Sequence, residues 1–164
     1  MKNVMRKLAM GGLLVLAAGA ASAEVNVIFV EPARYSDLSF NPVIRQEVLK
    51  ELNKHFLRLG TELVPGQNLH IRVTDVDLVG QLYPGRGADE LRVIRHRADW
   101  PRINLQYTIE SNGQVLRSGE AQLRDMTFMR HISRYTDGDG LHYEKRMIDD
   151  WFYSTIVSER TAGR

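Results

Sequence analysis

The sequence predicts an α+β two-layer sandwich, with two helices packed on one face of a mostly antiparallel sheet. Three observations carry that expectation. Alternating or β-branched runs recur at residues 25–30, 69–80, 103–109 and 115–123. Apolar residues at helical spacing mark residues 44–59 and 148–156. The order is strand, helix, strand, a basic segment without clear period, a strand hairpin and a final helix.

Each element has its own local signature. Val25, Val27, Ile28, Phe29 and Val30 form a β-branched-rich run that Pro32 stops. Asn41-Pro42 supplies a cap followed by a first-turn proline. Ile44, Val48, Leu52, Phe56 and Leu59 then trace one helical stripe, and Gly60 ends it. Leu69, Ile71 and Val73 share one strand face, after which the apolar residues change parity to Val76 and Leu78. A β-bulge near Thr74-Asp75 returns both to the core and turns Asp75 and Asp77 to the other face. Ile103, Leu105, Tyr107 and Ile109 alternate with polar residues throughout. A two-residue Asn112-Gly113 turn would need a later bulge at Gly119 to restore the core face; side-chain parity favours a three-residue loop, pairing Ile109 with Val115 and placing Gly113 in the left-handed position. That register puts Arg117 on the inner face near an edge, its head reaching water. The final helix carries an apolar stripe of Ile148, Trp151, Phe152, Thr155 and Ile156, and a polar one of His142, Lys145, Arg146 and Asp149.

The N-terminus has the pattern of a secretory signal. Lys2, Arg6 and Lys7 precede an uncharged, mostly apolar stretch at residues 8–20, and Ala21-Ser22-Ala23 supplies the small-x-small cleavage pattern. The apolar stretch is shorter than the ~20 residues a spanning helix needs. The expected organisation is a cleaved signal at 1–23, one α+β domain at 24–158 and a polar tail at 159–164. Removing 23 of 164 residues also removes three of the 22 Lys and Arg, leaving 19 against 20 acids and a net charge of −1. The basic character belongs to the leader, so a nucleic-acid partner loses its main support. There is no cysteine. Disulfides, a thiol nucleophile, thiolate metal sites and a lipoprotein anchor are therefore excluded, and the fold must rest on its core. The expected location is periplasmic or secreted, with no membrane-spanning segment after cleavage.

Three short motifs, in this order, carry a resemblance. They are Asp75-Val76-Asp77-Leu78-Val79-Gly80, Gly119-Glu120-Ala121-Gln122-Leu123-Arg124-Asp125, and Tyr143-Glu144-Lys145 with Trp151-Phe152. Together they resemble a bacterial family of exported proteins known as domain of unknown function 3016. The likeness runs from Val27 to about Phe152. It implies an exported, single-domain protein and transfers no activity, substrate or catalytic residue.

Asp137-Gly138-Asp139-Gly140 suggests a calcium loop, which needs an oxygen ligand at position five, glycine at six and glutamate at twelve. From Asp137 those positions hold Leu141, His142 and Ile148; from Asp139 they hold Tyr143, Glu144 and Asp150. Neither frame fits, and the stretch reads as a turn with an aspartate capping the last helix. The five histidines form no zinc pattern, although His131 and His142 flank that turn. No nucleophile elbow or phosphate loop is present. No cofactor or metal is expected.

The candidate binding residues fall in three groups. Asp75 and Asp77 on one strand face stand about 6.5–7 Å apart between Cα atoms, a spacing able to flank a sugar or an ion. Arg86, Arg92, Arg95, His96, Arg97 and Arg102 lie within seventeen residues, close to Tyr83 and Trp100. Such a cluster suits an anionic envelope component, or serves as charge guarding an edge strand. Asp125, Tyr143 and Glu144 complete the set. Glu144 precedes Ile148 by one turn on the apolar stripe, so it is expected to be partly buried and paired with Arg117, Arg124 or Arg130. The favoured function is a non-enzymatic binding or envelope-accessory domain, using an exposed sheet edge or the arginine-rich segment. The alternative is a carboxylate-based or metal-assisted hydrolase drawing on Asp75, Asp77, Asp125 and Glu144.

Overall fold

The computed structural model describes residues 22–84, 90–94, 99–130 and 140–158. The expected leader core, the Asp137-Gly138-Asp139 turn, His131 and three of the clustered arginines (Arg86, Arg95, Arg97) lie outside these residues. Six strands and two helices follow in the order β1 (Glu24–Phe29), α1 (Pro42–Leu59), β2 (Gln67–Asp77), β3 (Gln81–Pro84), β4 (Glu90–Val93), β5 (Arg102–Ser111), β6 (Gln114–Arg124) and α2 (His142–Trp151). The main sheet is ordered β1-β2-β5-β6, and β3 and β4 make a separate two-stranded sheet. β1 runs parallel to β2 because α1 carries the chain back across the sheet, whereas the other pairs are antiparallel. The fold is α+β, and both helices contact the main sheet.

Helix α1 starts where the cap-and-proline pattern predicts. Asn41 accepts a hydrogen bond from the Val43 N–H at 2.9 Å, and Pro42 occupies the first turn, where its missing donor costs nothing. Leu52, Phe56 and Leu59 of the predicted stripe are buried, while Ile44 and Val48 are half-buried. His55 is buried too, because α2 lies against it: its Nε2 meets Asp149 at 2.8 Å. Lys145 and Glu51 form a second link at 3.5 Å. The polar stripe of α2 is therefore not a solvated face. Lys145 and Asp149 face α1, and Arg146 reaches Asp125 at 3.3 Å.

The β2 bulge lies where the change of parity requires it. Val73 pairs with Leu105 and Asp75 with Asn104, leaving Thr74 as the extra residue. Val76 and Leu78 thereby join Leu69, Ile71 and Val73 in the core, each at most 3% exposed. One continuous cluster joins these residues to Leu52, Phe56, Ile103, Leu105, Ile148 and Phe152. Each such side chain contributes about 1.5–3 kcal/mol on burial.

Two local expectations need correction. The β5–β6 connection is the two-residue turn, with Asn112 and Gly113 both left-handed at φ 52° and 76°. Ser111 pairs with Gln114 and Glu110 with Val115, after which Ile109 pairs with Arg117. A bulge at Leu116 thus restores the core parity, three residues before the Gly119 position considered from sequence. Val115 consequently faces solvent. Arg117 does lie on the inner face, but its head donates to the Thr155 carbonyl and lies 5.9 Å from the centre of the Tyr107 ring. At the other correction, the N-cap of α2 is Leu141, not an aspartate, and makes no side-chain cap bond. Burying Leu141 in the core fixes the helix start there, and Lys145 N–H donates to its carbonyl at 2.9 Å.

Candidate functional site

The chain between β1 and α1 runs along the far half of β2. Val30 N–H donates to Val73 O at 2.9 Å and Asp37 N–H to Val76 O at 3.2 Å, making a parallel bridge between Asp37 and Asp77. Tyr35 is buried and its hydroxyl donates to Val73 O at 2.8 Å. Burial pushes its pKa to about 12, against a backbone hydrogen bond that lowers it, with the Asp75 charge adding to the rise. On the other side of β2, Arg102 opens β5 directly opposite Asp77. Gly80, left-handed at φ 81°, turns the chain from β2 into β3, and its N–H donates to Asp99 O at 3.1 Å. These three segments enclose a cleft of about 350 Å3 lined by Ser36, Asp37, Asp77, Leu78, Gly80, Gln81, Asp99, Trp100 and Arg102.

Ion pairs hold its charged walls. Asp77 Oδ2 accepts from Arg102 Nε at 2.8 Å and also from Nη2 of the same guanidinium. Asp37 Oδ2 accepts from Arg92 Nη1 at 2.6 Å, and the same nitrogen reaches the carbonyls of Val79 and Gly80 at 3.3 and 3.4 Å. Arg92 thus ties β4 to the bridge segment and to the turn. In both acids the hydrogen bonds among the described residues reach only Oδ2.

Behind the turn lies Glu144, in the first turn of α2 and 0% exposed. Its Oε1 accepts from the Val79 N–H at 2.7 Å, while among the described residues Oε2 has no hydrogen-bond partner. Burial raises the carboxyl's pKa, opposed by its backbone N–H donors and by the charges of Arg92 and His142. The expected partners, Arg117, Arg124 or Arg130, do not pair with it: Arg117 and Arg124 bond Thr155 O and Gln122. A main-chain N–H holds this acid, because the β2–β3 turn is what α2 packs against.

The remaining candidates scatter. Asp75 turns to Ser36, accepting from its N–H and its hydroxyl at 2.7 Å each, outside the cleft lining. Asp125 accepts from Thr127 N–H at 3.0 Å and from Arg146, and helps line a separate groove of about 480 Å3 beside Trp151. Tyr143 packs edge-on against Phe128, ring centres 4.9 Å apart. Of the predicted residues, the cleft gathers Asp77, Trp100 and Arg102, with Arg92 just behind. Ser36, Asp37 and Asp99 were not singled out from sequence, because pairing of their segments with β2 and the turn leaves no local periodic signal.

Residues 23–154 match the family described as Protein of unknown function (DUF3016). The chain belongs to that family. The match takes in every described residue of the cleft, together with Glu144. No curated protein and no solved structure matches the chain. The DUF3016 assignment agrees with the resemblance carried by the three motifs and adds no activity to it. Among the described residues no three His, Asp or Glu side chains are grouped to hold a metal ion, and no helix is long and apolar enough to cross a membrane.

Proposed function

We propose that this DUF3016 chain is exported and acts in the periplasm, or outside the cell, as a non-catalytic binding or envelope-accessory module. The polar cleft at the β2–β3 turn is its ligand site. The observation that carries this reading is that the neighbouring cleft acids Asp37 and Asp77 are each held by a guanidinium group, while the other candidate acids lie apart. Asp75, Asp77, Asp125 and Glu144 occupy four different surroundings, each with its own partner, and among the described residues no histidine lines the cleft. Carboxylates held by guanidinium groups are fixed acceptors, suited to positioning a ligand, whereas hydrolysis needs an acid and a base converging on one reacting atom.

Residues 24–164, purified and incubated with model ester, glycoside and phosphate substrates, are expected to give no turnover. Polar fractions of an envelope extract are expected to raise the melting temperature of this chain and not that of Trp100→Ala. Turnover abolished by Asp77→Asn would replace the binding reading with the hydrolase.

A further inference from the structure

The cleft's chemistry narrows the class of ligand; this step rests on the binding reading above. We propose that the cleft takes one ring, or two linked rings, of a neutral, hydroxyl-rich saccharide.

The charges already present decide against ionic ligands. Asp37 and Asp77 are each engaged by an arginine, so an ammonium group or a metal ion must compete with a guanidinium already in place. Among the described lining residues, a phosphate or carboxylate meets the carboxylates of Asp37, Asp77 and Asp99 and one arginine, Arg102, which is already paired to Asp77. What the paired aspartates still offer is their second oxygens, bonded to nothing among the described residues. The backbone bridge between Asp37 and Asp77 brings them to neighbouring strands. Two fixed acceptors on adjacent strands suit a molecule presenting hydroxyl donors side by side. Hydroxyl-to-carboxylate hydrogen bonds are charge-assisted and short, and a neutral hydroxyl is far cheaper to desolvate than an ion.

Two further features fit a ring. Trp100 lines the same cleft, half-buried, and an indole face covers the C–H face of a pyranose at low entropic cost. The volume of about 350 Å3 is at the small end of ligand pockets, which span roughly 300–1,000 Å3. Gln81 lines the cleft too and adds a neutral amide. The floor is rigid for this purpose, since the Val79 N–H is held by buried Glu144 and the Val79 and Gly80 carbonyls by Arg92.

The test is titration of residues 24–164 with N-acetylglucosamine, diacetylchitobiose, maltose and galactose, read by calorimetry and tryptophan fluorescence. Calcium chloride and inorganic phosphate serve as ionic probes. At least one saccharide is expected to saturate the protein. Trp100→Ala should weaken it by about tenfold or more and Trp100→Phe much less, since loss of one good contact is worth about that factor. Asp150→Asn, in the separate groove, should change nothing. Thermal melts of each variant show that the fold is retained. Saturable binding of calcium or phosphate, sensitive to Trp100→Ala, with no saccharide binding, overturns the ligand class and keeps the binding module. Release of reducing sugar from a bound disaccharide keeps the class and overturns the module. No binding of any probe at millimolar concentration, with the fold intact, removes the saccharide assignment.

Discussion

Glu144 concentrates the physics of this protein at the scale of one residue. A carboxyl taken out of water favours its neutral form, and the Val79 N–H supplies one hydrogen bond to either form. Because its pKa is raised above the ordinary value of 4.5, the folded state holds the proton where the unfolded state releases it. Its contribution to stability is full below pH 4.5 and is lost as pH rises toward the raised value. Glu144→Gln keeps an acceptor for Val79 and removes the titration. Denaturant midpoints of wild type and Glu144→Gln should therefore diverge as pH rises from 4.5 to 8, in favour of the variant; parallel profiles would show that the carboxyl ionises normally. Glu144→Ala leaves the Val79 N–H unpaired and should cost about 1–3 kcal/mol below pH 4.5, the difference from wild type shrinking as pH rises. The burial of this residue was legible from its place on the apolar stripe. Its partner was not, because Val79 is 65 positions away and offers only a main-chain group.

Among the elements, the β5–β6 hairpin shows most clearly how packing chooses between local options. Asn112-Gly113 is a strong two-residue turn, but continued without interruption it points polar residues at the core. The bulge at Leu116 resolves that conflict, and beyond it Tyr107 comes to face Gly119. A methyl group at Gly119 would stand 3.0–3.1 Å from the Tyr107 ring, which itself packs edge-on against Trp151 at 5.7 Å. Gly119→Ala should thus lower stability by about 1–3 kcal/mol, read from the denaturant midpoint. In a Tyr107→Leu background the same change should cost clearly less, and equal costs would mean that the ring is not the obstacle. Alternation along β5 and β6 was readable in sequence; which residue is the bulge was not, since one extra residue anywhere along the strand restores the same parity.

At the scale of the whole molecule, a chain without cysteine holds together through its core, with the helix–helix side-chain contacts His55–Asp149 and Lys145–Glu51 among the described residues. Export is expected to follow from the basic start, the short apolar stretch and Ala21-Ser22-Ala23. Expression of the full chain in a Gram-negative host should give a periplasmic product whose mass corresponds to cleavage between Ala23 and Glu24. A full-length cytoplasmic product would remove the export proposal. The cleft belongs to this scale as well, since its walls come from the segment after β1, the β2–β3 turn and the start of β5.

The sequence by itself determined the fold class, the first-helix start, the β2 bulge that turns Asp75 and Asp77 outward, and the family. Each depends on short-range periodicity, turn chemistry or an ordered set of short motifs. Only the tertiary structure decided that Asp77 belongs with Asp37, Trp100 and Arg102 while Asp75 turns away to Ser36. It also decided that the arginines at 92 and 102 are ion-paired to aspartates. Side chains on adjacent strands meet through register, and register is set by how whole elements bury their apolar faces, which no local pattern records.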